Sequence, residues 1–474
     1  MSLTQLLILA GVALLARGLA GGRYRRAAIP IVSILALYWL QPAVPIRQLD
    51  FWLPTVTIGL TTFTWALTRP APGLPLERET LMWGGAVAGL VLAVSALRYV
   101  EPVCCLTPSR PPEAWWAALV LAGIALLAAL GARFVAGRWR VLLFAVFGLI
   151  GLLIVLKLEP LGQAASAALR SLTGQSPALA TAADLQWLGI SYVAFRLMHT
   201  LRDRAAGRLP ALSLHEYAAY VLFFPAITAG PIDRAERFVK DLRSELRADA
   251  NDLTEGGRRL LLGLFKKFVV ADSLSLFALN AFNAAQAESA VWLWVLVYAY
   301  AFRIYFDFAG YTDVAIGLGR WLGVRLPENF DRPYLKPNLT AFWNSWHITL
   351  AQWFRAYYFN PLTRALRERG VSPVLIIFFG QTTTMVLIGL WHGFTWNFVL
   401  WGLWHGLGLF VHNRWLDWSR GRFPLLERNA AARRAWEVAG VLLTFHFVTL
   451  GWVWFALPEL SLSLAVFSRL FGGG

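Results

Sequence analysis

Two histidines stand where an ionisable side chain is costly. His347 lies in the segment Pro327–Leu362 and His392 in Gly389–Leu407, both tryptophan-rich stretches of a mostly apolar chain. A titratable group at membrane depth is usually there for a function or for a specific partner. Imidazole has the side-chain pKa closest to neutrality, and burial disfavours its charged form, so such a histidine is suited to take a proton as a general base. Trp343, Trp346 and Trp391 flank the pair and are expected to line a substrate channel, while Gly389 and Gly393 leave room for a close-approaching substrate. Asn344 precedes His347 by three residues. On a continuous helix the two share a face, where the amide could fix the imidazole tautomer or donate to an oxyanion. Together these residues predict an intramembrane reaction chamber.

The elements that must hold these residues follow from composition. Of 474 residues, 58% are hydrophobic and only 15% charged, against about 25% charged in soluble domains. Apolar runs recur along the whole chain and are continuous rather than alternating, which argues for helices and against a barrel. The expected fold is an all-α polytopic membrane protein with about 11–13 membrane segments, some broken or re-entrant, around an intramembrane tunnel. The net charge of +16 is carried by arginines in short loops, a positive-inside pattern that implies no nucleic-acid partner. It places the N-terminus outside, GGRYRR (residues 21–26) and Arg69–Glu79 in the cytoplasm, and Arg98–Trp115 outside. Arg17 and the lack of a clean cleavage site mark the first apolar run as a retained helix rather than a signal peptide.

Spans are expected near residues 3–20, 28–46, 51–68, 80–97, 115–135 and 139–157, followed by a loosened Gly/Ser/Ala-rich stretch with a short amphipathic piece at 162–183. From residue 185 onward, polar and helix-breaking residues enter the apolar runs: Ser191, Pro225, Pro231, Asp307 and Asp313. Broken helices at membrane depth are tolerated where they line a cavity. The first third therefore reads as lipid-facing scaffold and the remainder as the working part. Asp331 and Arg332, like Asp233 and Arg234, read as anchors of loops at the interface.

Gly389–Gly393 and Gly402–Gly406 both read GLWHG. On one straight helix His392 and His405 would point roughly 140° apart, so a single functional histidine is expected here unless Gly393 and Thr395 break the helix. His405 and His412 are too far apart to share a metal ion, and the adjacent pair Cys104 and Cys105 reads as two loop thiols, so no metal is expected. No GxSxG, HExxH, P-loop or dinucleotide fingerprint appears. Without an obvious nucleophile for a covalent enzyme intermediate, direct transfer between two bound substrates is the simpler chemistry.

Six segments in order, GISYVAFR (189–196), residues 220–238, 261–274 and 305–335, FWNSWHITLAQWFRAYYFNPL (342–362) and residues 389–409, resemble the membrane-bound O-acyltransferase family. They are most similar to its bacterial branch of alginate and cellulose O-acetylases and D-alanyl transferases of teichoic acid synthesis. The resemblance divides the chain into divergent N-terminal helices, 1–138, and a catalytic core, 139–474. It implies that His392 is the intramembrane catalytic histidine and that His347 is a second important one. It also implies transfer of an acyl group, acetyl first and D-alanyl second, from a thioester on coenzyme A or an acyl carrier protein to a hydroxyl of a cell-envelope or extracellular glycan or carrier. No bound cofactor is expected. The implied partners are membrane lipid, the acyl donor and a separate periplasmic or extracellular acyl-transfer protein, and the implied location is the cytoplasmic membrane. A transporter or channel for small molecules or lipid-linked sugars is the alternative; it predicts internal inverted repeats, which the two halves do not display.

Overall fold

The computed structural model describes residues 2–19, 25–100, 106–244, 250–423 and 429–473. Cys104, Cys105 and most of the GGRYRR loop lie outside the described residues. Among the described residues every regular element is helical. Six helices are long and apolar enough to cross a membrane: Arg78–Tyr99, Ala114–Val135, Trp139–Lys157, Ala290–Trp321, Pro373–His392 and Ala430–Ala456. Leu3–Gly18 and Leu460–Leu470 are shorter apolar helices. In lipid no water is available to the backbone, so each apolar run closes its own hydrogen bonds. The apolar faces turn outward as well as inward; Phe144 and Phe147 on Trp139–Lys157 are largely exposed, as suits side chains facing lipid. This is an all-α polytopic membrane protein.

The chain divides into two compact units, Met1–Leu260 with Val314–Pro327, and Leu261–Asp313 with Glu328–Gly474. In the first unit the helices Leu3–Leu19, Arg25–Leu40, Leu49–Leu67, Arg78–Ala96, Ala114–Leu130 and Trp139–Lys157 follow the apolar runs closely. The amphipathic piece expected near 162–183 is the helix Glu159–Leu172, tied down by Arg170 and Ser166, which donate to Asp184 at 2.9 and 2.6 Å.

Two arginines of this unit are structural. Arg25 is buried, and its guanidinium donates to the carbonyls of Leu242 and Ser244, both at 2.7 Å, and of Asp241 at 3.1 Å. Arg196, from the GISYVAFR segment, donates to Val221 and Ala226 at 2.8 Å. The last carbonyls of a helix have no partner within it, and a guanidinium supplies several donors at once. Asp233 likewise anchors its own loop, accepting from Arg237 Nε at 2.8 Å and from the Arg234 amide at 2.7 Å.

The second unit holds the histidine-bearing segments. Leu339–Trp343 and Ile348–Phe354 are short helices separated by a turn, and Pro373–His392 and Trp396–Ser419 form a hairpin packed in turn on Ala430–Ala456.

Candidate active site

The hairpin places His392. Pro373–His392 stops at Gly393, three residues pass without helix, and Trp396–Ser419 begins. A Cβ at Gly389 would meet the Phe398 carbonyl oxygen at 2.2 Å, one at Gly402 the Val386 Cα at 2.5 Å, and one at Gly406 the Thr382 Cα at 2.7 Å. As one number falls the other rises, so the two helices run antiparallel with their backbones nearly touching. Only residues without a side chain permit that approach. The break at Gly393–Thr395 puts His392 and His405 on different helices, so the straight-helix angle between them does not apply.

His392 ends its helix half-buried in an aromatic cage, 4.5 Å from the Trp391 ring and 4.7 Å from Phe455, with Trp401 at 5.8 Å. His405 is buried beyond that wall, against Trp343 at 5.1 Å and Trp401 at 5.0 Å.

His347 sits at the turn between the two short helices, in the left-handed region at φ 43° and ψ 52°. A non-glycine residue held there is uncommon and requires support from its surroundings. Asn329 supplies it. Its backbone carbonyl accepts from the Ile348 amide at 3.0 Å, and its side-chain Oδ1 accepts from the Thr349 amide at 3.1 Å and hydroxyl at 2.9 Å. Because the Thr349 amide can only donate, the atom facing it must be the oxygen of Asn329. That same Oδ1 lies 3.2 Å from His347 Nδ1, so Nδ1 carries the proton, and the lone pair of the neutral ring is on Nε2. Nε2 is buried and makes no hydrogen bond.

The sequence reading put Asn344 beside His347 on one helix. The chain is not helical between them. Asn344 ends Leu339–Trp343, is exposed, and its Oδ1 accepts from Arg355 at 2.6 Å. Asn329 takes the place assigned to Asn344. It is buried and 18 residues from His347 in sequence, in the Gly- and Pro-broken stretch where it clusters with Asp307, Asp313, Asp331 and Arg332.

His347 and His392 line one cavity of about 90 Å³ together with Trp343, Trp346 and Trp401. Its other walls are apolar, among them Ile304, Phe308, Leu350 and Phe455. Trp391 touches both histidine rings, at 6.3 Å from His347 and 4.5 Å from His392. Trp346 is the hub of an aromatic layer, 5.0 Å from Trp452 and 5.1 Å from Phe330. The indole N–H groups of Trp343 and Trp401 are buried without an acceptor. The arrangement thus offers imidazole bases and unused N–H donors inside an apolar enclosure. Such an enclosure suits proton transfer coupled to stabilisation of a developing negative charge. Elsewhere, His199, Asp203 and Glu236 bring potential metal-ligand atoms within 4.8 Å of one another. The protein's own donors already occupy that cluster: the Ala235 amide reaches His199 Nε2 at 3.3 Å, and Arg208 reaches Asp203 at 2.6 Å.

A helical bundle with an enclosed histidine pair defines a multi-pass membrane enzyme rather than a soluble one. The profile of the membrane-bound O-acyltransferase family (MBOAT) matches residues 138–447. The chain belongs to that family and is an O-acyltransferase. It is similar to the teichoic acid D-alanyltransferase of Bacillus subtilis, 30% identical over 277 residues, covering 57% of this chain and 69% of the relative. It is 32% identical over 291 residues to a probable alginate O-acetylase of Pseudomonas aeruginosa, covering 60% of this chain and 52% of the relative. It is 34% identical over 260 residues to the peptidoglycan O-acetyltransferase of Helicobacter pylori, covering 54% and 46%.

Proposed function

We propose that the protein moves a short acyl group from a thioester, carried on coenzyme A or an acyl carrier protein at the cytoplasmic face, to a hydroxyl of a cell-envelope or extracellular glycan or carrier. The observation that carries this reading is the shared cavity: two histidines, one with a buried and unbonded Nε2, face one small apolar space. Its volume of about 90 Å³ suits acetyl first and D-alanyl second, and not a long chain. The extent of the family match supports residues 139–474 as the catalytic core.

In this mechanism His392 takes the proton of the acceptor hydroxyl as the oxygen attacks the thioester carbonyl. The tetrahedral oxyanion accepts hydrogen bonds from the idle indole N–H groups of Trp343 and Trp401, which replace Asn344 in that role. The C–S bond then breaks, and the thiolate takes back the proton from the imidazolium. His347, its tautomer held by Asn329, orients the acceptor through Nε2. Trp346 and Trp391 keep the histidines in register and exclude water. No enzyme-bound acyl intermediate is required. The product leaves on the far side of the cytoplasmic membrane, where a separate periplasmic or extracellular protein completes delivery.

The test is thioester turnover by the full chain in nanodiscs, with acetyl-coenzyme A and a carrier-bound D-alanyl thioester offered in parallel. Loss of turnover in His392→Ala, with folding intact, is the expected result and names the donor class. Turnover unchanged by that substitution overturns the assignment.

A further inference from the structure

A cavity of the first unit is of a different kind. It measures about 1190 Å³ and is lined by Arg26, Arg69, Arg204 and Arg243, with Trp65 and Trp83 among its walls. Three of the arginines are half-buried and held by neutral carbonyls. Arg69 donates to Leu74 and Pro75 at 2.9 and 2.8 Å, Arg204 to Thr68 and Pro210 at 2.5 and 3.1 Å, and Arg26 to the Arg243 carbonyl at 2.5 Å. The Nε of Arg26 is buried without an acceptor. Among the described residues, Arg243 alone of the four is bonded to a carboxylate, Glu216, at 2.6 and 2.8 Å. Glu77 and Glu79 also line the cavity; both are exposed, Glu77 acts on the charge of Arg69, and Glu79 approaches His215 at 3.3 Å. Carbonyls position a guanidinium without neutralising it, and the four arginines of the lining face three carboxylates, Glu77, Glu79 and Glu216, which leaves a positive excess.

The inner wall is aromatic, with Trp83 stacked on His215 at 5.3 Å. From these two residues a second, narrow crevice of about 10 Å³ continues between Pro30, Ile34, Ile58, Val87 and Leu222. Beyond His215 its walls are mostly aliphatic, and its threonines, Thr61 and Thr62, donate back to the carbonyls of Thr57 and Ile58 at 2.7 and 2.9 Å. The helix Arg78–Ala96 that carries Trp83 and Val87 is one of the membrane-crossing helices, and beside the chamber it exposes Leu81 and Met82. A cationic chamber therefore opens onto an apolar seam in a helix that meets lipid.

We propose that this chamber binds a phosphate-bearing lipid, with its phosphate against Arg26, Arg69 and Arg204 and its hydrocarbon along the seam that begins at Trp83 and His215. The match is to an amphiphile rather than a soluble anion: arginine forks pair with phosphate oxygens, while the seam offers a chain nothing to hydrogen-bond. The site lies outside the histidine cavity and needs no assumption about the acyl-transfer reaction.

Native mass spectrometry of the full chain released from detergent tests it. The chain is titrated separately with phosphatidylglycerol, with glycerol 3-phosphate (the head without a tail), and with diacylglycerol (the tail without a phosphate). One phosphatidylglycerol per chain is expected, with neither fragment binding comparably. Arg26→Gln is expected to weaken that adduct about tenfold, the effect of one lost charge-assisted hydrogen bond. Val87→Trp, which fills the seam and touches no arginine, is expected to weaken it at least as much, and it keeps the test decisive where an arginine variant fails to fold. Equal binding of glycerol 3-phosphate assigns the chamber to a soluble phosphate and overturns the proposal. Equal binding of diacylglycerol, or an adduct unchanged in both variants, overturns it as well.

Discussion

Two cavities of this protein are built on opposite principles. The histidine cavity is small, about 90 Å³, and walled by rings and aliphatic side chains; the arginine chamber is an order larger, about 1190 Å³, and walled by charge. In the first, polar atoms are few and each has an orientation fixed by packing. In the second, cations are many and are held by carbonyls that leave their charge available. A reaction needs the first kind of space, because a base and oxyanion donors act most strongly where water is absent. Retention of a charged headgroup needs the second.

Substitutions can break or sharpen this contrast. The largest effect is expected from His392→Ala: acyl transfer falls by about 10²–10⁴, the usual worth of a positioned general base, while phosphatidylglycerol binding in the other unit is unchanged. Thioester turnover and native mass spectrometry on the same preparation check both halves. Asn329→Ala is expected to lower kcat by about 10–100-fold with little change in KM, and to cost about 1–3 kcal/mol of stability through the unpaired Thr349 donors. Asn329→Asp retains the acceptor and is expected to recover part of the activity, which separates tautomer control from simple packing. Gly402→Ala drives a Cβ to 2.5 Å from the Val386 Cα. It is expected to destabilise the hairpin by about 1–3 kcal/mol and to lower activity by displacing His392, read as the unfolding temperature alongside turnover.

The smallest effect separates the units by pH. Burial pushes the Asp184 carboxyl up, but hydrogen bonds from Ser166, Thr181 and Arg170 outweigh it and hold the group well below the ordinary carboxylate range. A depressed carboxyl contributes stability that is complete above its unfolded pKa and is lost as pH falls through the folded value. Thermal unfolding followed from neutral pH into acid is therefore expected to show a loss that Asp184→Asn removes. The same substitution leaves the walls of the histidine cavity untouched.

Much of this was legible in the chain. Helices near 3–20, 28–46, 51–68, 80–97, 115–135 and 139–157 follow from apolar runs that lipid forces into self-satisfied backbone, and helices lie there. His347 and His392 stood out as titratable groups among tryptophans, and both line one cavity. Asn344 was misplaced because a face argument assumes a continuous helix. The left-handed backbone at His347 ends that assumption, and no pattern of side chains announces it. Arg25 and Arg69 read alike as loop cations, yet one caps helix ends and the other lines a chamber.

By itself, then, the sequence determined that this is a helical membrane protein and singled out two histidines among tryptophans, because hydropathy and charge act locally and can be read residue by residue. Which amide orients His347, which indoles stay unpaired, and which arginines lack a carboxylate were decided only in the tertiary structure. Each depends on contacts between residues far apart in the chain, and spacing along the sequence does not encode distance in space.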